Sequence, residues 1–304
     1  MMGARNGLAQ PIPTCTPVHQ LCLEPMWRHV TPSVCPGARH LPCPPWPIAG
    51  STCPRAAASC EQGDAAARTP EESSRLSPRI LHVVTNRGRF DDPGRPTGLW
   101  LPSFAEVWDI FAAEGFAQNI VSPAGGFAPL EPRSLTWPFR NGSAKAWLGD
   151  PARMALLKET AAPADIDPDA YDAISFAGGH GAMWDVPDST GLQAITRHLW
   201  EKGAIVSAIG HGSCGLLKTR LSNGALLITG RHVTGCSWTE DILLGLARHM
   251  PYNAETEMTQ QGARYDKALL PFASHVVLDG QLVTGQNPRS ARETARLVAE
   301  LVRK

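Results

Sequence analysis

The sequence predicts an α/β fold with a mostly parallel sheet covered by helices on both faces. Three observations carry that prediction. Short apolar runs rich in β-branched residues alternate with longer amphipathic stretches at helical spacing. The run Ala204–Ala208 is apolar almost throughout, as a strand buried on both faces is. Two runs end in glycine clusters, at Gly178–Gly181 and Gly210–Gly215, where strand-to-helix turns are expected.

In chain order, Ile80–Thr85 reads as the first strand. Phe104–Phe116 reads as a helix with Phe104, Val107, Trp108 and Phe111 on one stripe. Gln118–Ser122 and Ala173–Phe176 read as strands, Leu192–Lys202 as a helix and Ala204–Ala208 as a strand. Leu226–Thr229 and His275–Leu278 read as later strands, and Arg289–Arg303 as a closing amphipathic helix. Sites in such folds lie beyond the carboxyl ends of the strands.

Residues 1–78 have a different character. Pro42, Pro44, Pro45 and Pro47 crowd one stretch, and no hydrophobic period persists. A disordered extension, or sequence upstream of the true start, is expected there, with the domain proper spanning 79–304. A transit peptide is the alternative. The first 60 residues hold four arginines and one acid, Glu24, but their length and prolines argue against it. No apolar segment of a secretory signal stands near the start, so a cytoplasmic location is expected. Six of the eight cysteines lie in those first 60 residues, with neither Cys-x-x-Cys spacing nor a folded frame for disulfides.

The 28 basic side chains balance 28 acidic ones, so nothing favours nucleic acid as a partner. No run approaches the roughly 20 apolar residues that span a bilayer. There is no phosphate loop and no dinucleotide fingerprint after the first strand, so no cofactor is expected. No metal is expected either. His180 and His211 have no acid at ligand spacing nearby, and a catalytic zinc wants three protein ligands.

Two segments can carry chemistry. In Phe176-Ala-Gly-Gly-His-Gly-Ala-Met-Trp-Asp185 a strand runs into three glycines, which let backbone N–H groups face an anion or simply make a tight turn. In Ala208-Ile-Gly-His-Gly-Ser-Cys-Gly-Leu-Leu217 a buried strand enters a sharp turn with a helix expected behind it. That geometry presents one side chain at its tip, usually a nucleophile. The tip here is Gly210, followed by His211.

These segments are joined by Val233-Thr-Gly235, by Asp279-Gly-Gln-Leu-Val-Thr-Gly-Gln-Asn-Pro288, by Thr97-Gly98 and by Ser122-Pro-Ala-Gly-Gly126. In that order, over about 79–304, the chain resembles the ThiJ/PfpI superfamily, within it the glyoxalase III and heat-shock-type chaperone branch. The resemblance implies a flavodoxin-like three-layer sandwich, a relation to class I glutamine amidotransferase domains, and a homodimer. The family elbow reads Cys-His-Gly, and here Gly210 takes the cysteine's place before His211. The family's carboxylate partner of that histidine falls on Asp241, with Glu240 beside it. Its early glutamate falls on Ser103, and Glu106 lies one helical turn on without matching. The resemblance puts oxyanion-type backbone donors at Gly178, Gly179 and His211. Cys214, four residues past the tip, reads as a small packed residue rather than a substitute nucleophile.

Cysteine and glutamate form one device for a low-pKa thiolate, and both are missing together. The expected function is therefore an enzyme without covalent cysteine chemistry, of lyase, hydratase, isomerase or hydrolase type. His211 and Asp241 would act as its acid/base pair on a small, partly apolar organic substrate. His180, Trp100, Trp184, Trp238 and Glu106 would surround that pocket. Two alternatives stand beside it: the family's conversion of methylglyoxal-like carbonyls, and a non-catalytic chaperone or binding protein.

Overall fold

A computed structural model describes residues 77–92 and 94–304 of the chain. The extension expected over 1–78 lies outside the described residues except for its last two. β1 (Arg79–Val83) opens the sheet, followed by α1 (Leu101–Ala113) and β2 (Ala117–Val121). The short helices α2 (Gly142–Leu148) and α3 (Pro151–Leu156) lead to β3 (Ala173–Phe176) and a single turn, α4 (Ala182–Asp185). Next come α5 (Thr190–Glu201), β4 (Ile205–Ile209), β5 (His232–Val233), α6 (Trp238–Leu243), α7 (Ala254–Gln260) and β6 (Arg264–Tyr265). The chain closes with β7 (Val276–Asp279), β8 (Leu282–Gly285) and α8 (Ala291–Val302). No helix among the described residues is long and apolar enough to cross a membrane.

The main sheet runs β2-β1-β3-β4-β8-β7, parallel except for β7, which pairs antiparallel with β8. The first five positions reproduce the flavodoxin-like strand order. Period-2 alternation explains the layers. Ile80 and Val283 point to one face, where they pack with Val107, Phe111, Ala295 and Val298 of α1 and α8. Their neighbours Leu81 and Leu282 point to the other, against Leu192, Ile195 and Leu199 of α5. Ser189 caps α5 by accepting from the Leu192 N–H, and Pro102 sits in the first turn of α1, where no donor is missed.

Two expectations are corrected. Leu226–Thr229 is not a strand. Leu226 forms an isolated bridge with Arg220, and a turn follows, closed by a hydrogen bond from the Thr229 N–H to the Leu226 carbonyl. Leu227 and Ile228 are nonetheless fully buried, so a β-branched apolar run marks burial here rather than sheet pairing. Behind the elbow stands no α-helix but a 3-10 helix, Gly210–Leu216. The Ser213 hydroxyl donates to the Gly210 carbonyl at 2.7 Å, which favours the tighter winding.

β1 carries a buried histidine into this core. His82 is 1% exposed, lies against Phe104, Trp108 and Phe111, and shares one hydrogen bond of 2.8 Å with Gln118 on β2. Burial pushes its pKa down to about 4, against the upward pull of Gln118. The unfolded chain protonates this ring near 6.5, whereas the folded chain holds it neutral to about 4. Above pH 6.5 the ring is neutral in both states and costs nothing. As pH falls from 6.5 to 4 the unfolded state binds the extra proton, and about 3 kcal/mol of stability is lost. His82→Leu should lower stability at pH 7 but flatten that stretch of the curve, as urea unfolding at successive pH values would show.

Candidate active site

Parallel pairing places the ends of β3 and β4 side by side, with Phe176 opposite Ala208, so both glycine turns meet at one edge. The fit is close enough to require glycine. A Cβ on Gly212 would lie 2.5 Å from the Phe176 carbonyl oxygen, and one on Gly178 would lie 2.9 Å from that of Ile209. Gly179, at φ 136°, has the Gly98 carbonyl oxygen 2.2 Å from where a Cβ would stand. The turn after β3 is therefore clamped between the elbow and the Thr97-Gly98 loop, and His180 is held over His211.

Gly210 differs from these. Its φ of 56° is the left-handed conformation typical of an elbow tip, yet a Cβ there would meet nothing nearer than 3.9 Å. The backbone keeps the shape that presents a nucleophile, with none present. Ser103 is buried in α1, and its hydroxyl donates to the Trp100 carbonyl.

His211 and Asp241 meet as expected. Asp241 Oδ2 lies 3.1 Å from His211 Nε2, and both residues are buried. Neither His180 nor His211 has an acid at ligand spacing in the sequence, but the fold brings Asp241 to both. Asp241 Oδ1 also lies 3.4 Å from His180 Nε2, and the two imidazole centroids are 4.4 Å apart. Sequence spacing misses this because α6 comes from a loop far along the chain. Burial pushes the Asp241 carboxyl up, but the His211 and His180 rings outweigh it and hold it well below the usual range. Burial, then the neighbouring His211, lowers His180 to about 4, which keeps its ring neutral near pH 7. The result is one buried carboxylate shared by two imidazoles. It can orient a proton carrier, stabilise a developing positive charge or gather a cation.

The aromatic residues are less united. Trp184 reaches the cluster through Phe90, whose ring lies 5.6 Å from Trp184 and 5.9 Å from His180. Trp100 packs edge-on against Phe139, and Trp238 heads α6 with its backbone N–H donating to Glu255. Among the described residues, no ring contact links either of these two to the histidines. Glu106 is not in the pocket, since it ion-pairs with Arg292 along the α1–α8 seam. Cys214 lies in the hydrophobic core, where burial pushes its thiol up to about 12.

Two carboxylates missed as site residues support the cluster. Glu131 is fully buried, accepts from the Thr97 hydroxyl at 3.0 Å and from Arg133 Nε at 2.9 Å, and lies 3.9 Å from His180 Nδ1. Arg133 Nη2 approaches that same nitrogen at 3.3 Å. Glu240, beside Asp241 on α6, is held by Gln286 Nε2 and Asn287 Nδ2 at 2.9 Å each, by the Phe272 N–H at 2.7 Å and by the Ser237 N–H at 3.1 Å. The Thr-Gly-Gln-Asn-Pro segment therefore works by gripping α6 in place. Glu131 has no flanking pattern to reveal it, whereas Glu240 had its position beside Asp241.

Residues 104–301 match the DJ-1/PfpI family. The chain belongs to that family. Within it, the chain is similar to Glyoxalase 3 of Candida albicans, with 28% identity over 225 residues, 71% of this chain and 94% of that protein. It is 30% identical to a glutathione-independent glyoxalase of Saccharomyces cerevisiae, over 71% of this chain and 94% of the relative. Among solved structures, glyoxalase III from Candida albicans superposes with a TM-score of 0.68 at 28% identity, covering 73% of this chain and 96% of that one. The Rapid Encystment Protein of Francisella tularensis gives 0.71 at 29% identity, covering 74% and 99%. The flavodoxin-like fold is common to them, and the family relatives named here as glyoxalases are enzymes.

Proposed function

We propose that this chain is an enzyme acting on small carbonyl compounds of the 2-oxoaldehyde kind, without a covalent thiol intermediate. The substrate class follows its glyoxalase-named relatives. The observation that carries the mechanism is the buried His211–Asp241 couple beneath an elbow tip that retains its strained conformation but holds glycine. A glyoxalase that works through a cysteine adduct has no atom for it at residue 210. Water added to the aldehyde carbon gives the gem-diol; Asp241 orients His211 so that the ring takes the proton from that carbon, next to the ketone, and returns it to the ketone carbon. Such a transfer converts the hydrated 2-oxoaldehyde into the isomeric 2-hydroxy acid without a cofactor. The buried site excludes bulk water and so strengthens these interactions.

The test compares the wild type with Gly210→Cys on methylglyoxal and related dicarbonyls. The wild type should turn over substrate, remain active after treatment with iodoacetamide, and show no covalent adduct by mass spectrometry. The open space around Gly210 predicts that Gly210→Cys folds, at a cost of about 1–3 kcal/mol for the positive φ, and becomes sensitive to alkylation. Turnover seen only in Gly210→Cys would leave the natural chain as a scaffold and sink the proposal.

A further inference from the structure

Asp241 is in contact with more than its catalytic partner. His180 Nε2 is buried, lies 3.4 Å from Asp241 Oδ1, and makes no hydrogen bond of proper geometry. A buried ring nitrogen left unpaired is costly unless a partner arrives. Charge-assisted bonds between an imidazole and a carboxylate close to about 2.7–2.9 Å. Both separations here are longer, at 3.1 and 3.4 Å. Around a tetrahedral ion with bonds of about 2.0–2.1 Å, neighbouring donor atoms stand about 3.3 Å apart. The donor atoms of His180, His211 and Asp241 all lie within 4.8 Å of one another and are buried.

We propose that His180 Nε2, His211 Nε2 and one Asp241 oxygen together bind a single divalent first-row transition cation such as zinc. Two imidazoles and a carboxylate suit that class of ion and leave coordination positions open for a substrate oxygen. For its chemistry the inference rests on the proposed carbonyl substrate. With no thiol at residue 210, a Lewis acid is the other means of holding and polarising a carbonyl oxygen. In the loaded protein His211 serves as ligand rather than proton carrier.

One local contact must give way. Arginine only donates, so Arg133 beside His180 Nδ1 leaves the ring proton on Nε2. Cation binding moves that proton to Nδ1. Glu131 Oε2, 3.9 Å away and fully buried, is the acceptor waiting there. This is the carboxylate–histidine support common at metal centres. Arg133 is 35% exposed and has room to turn aside.

The experiment is titration of the full chain, freed of metal by dialysis against chelator, with Co²⁺ and Zn²⁺. It is followed by calorimetry and by the visible ligand-field spectrum of cobalt. We expect one equivalent whose spectrum and affinity depend on the cluster. His180→Ala and Asp241→Asn should each weaken binding at least 100-fold, and Glu131→Gln about 10–100-fold. Far-ultraviolet circular dichroism verifies folding, and His180→Gln serves if the alanine variant does not fold. Absence of binding, or binding unchanged in folded His180 and Asp241 variants, overturns the inference, including binding by the cysteines elsewhere in the chain. Turnover that persists in chelated protein leaves the proposed reaction standing without the cation. A bound cation with no dicarbonyl turnover does the reverse.

Discussion

Replacing His211 by alanine should lower kcat/KM toward a small dicarbonyl by about 10²–10⁴-fold, the usual worth of a positioned proton carrier. The ring is the nearest titratable side chain to the elbow tip in sequence and is tied to Asp241. Its loss therefore removes the proton carrier and leaves Asp241 facing His180 and the Cys236 thiol. Asp241→Asn should also cost activity, because an amide cannot stabilise an imidazolium and can present a donor where an acceptor is needed. The double variant should be no worse than His211→Ala alone, since two groups that act as a unit are not additive. Single-turnover measurements alongside thermal melts would separate chemistry from stability. Undiminished turnover in folded His211→Ala would dispose of the proposed mechanism. Fully additive losses would mean that Asp241 works independently of the ring.

The fold was legible wherever one segment determined its own state. Ala173–Phe176 and α8 follow from periodicity, and the strand-edge location of the site follows from the parallel sheet. The sequence failed where distant neighbours decide. Leu226–Thr229 has strand-like residues but is buried as a turn. The segment after Gly210 has the spacing of a helix start, yet it winds as 3-10, with the Ser213 hydroxyl on the Gly210 carbonyl. Glu106 lies one turn from Ser103 on the same helix, but Arg292 holds it at the seam with α8. The family resemblance located Asp241 beside His211. It gave no hint that the same carboxylate also meets His180, because that contact depends on how the turn after β3 is clamped. Glu131 was invisible for the same reason, since its partners Thr97 and His180 lie on separate loops.

The second large effect concerns a residue that should touch no substrate. Glu240 is fully buried, and its two oxygens take hydrogen bonds from Gln286, Asn287, Phe272 and Ser237 and from the Cys236 thiol. Cutting it back to alanine strands several buried donors at once, each costing roughly 1–3 kcal/mol when unpaired. Relaxation recovers part of this, so Glu240→Ala should lose about 3–5 kcal/mol, or about 6–20 °C in Tm for a domain of this size. The urea midpoint should fall with an unchanged slope, which marks a loss of stability rather than a change in the unfolded chain. Activity should fall as well, because Glu240 and Asp241 are adjacent on α6 and the grip on one sets the position of the other. Glu240→Gln discriminates between packing and polarity. It keeps the volume but turns one acceptor into a donor that faces the Gln286 and Asn287 amides. A loss close to that of alanine would mean that the carboxylate's acceptors hold α6. A near-normal Tm would mean that shape alone suffices and that the Gln-Asn-Pro segment grips by packing.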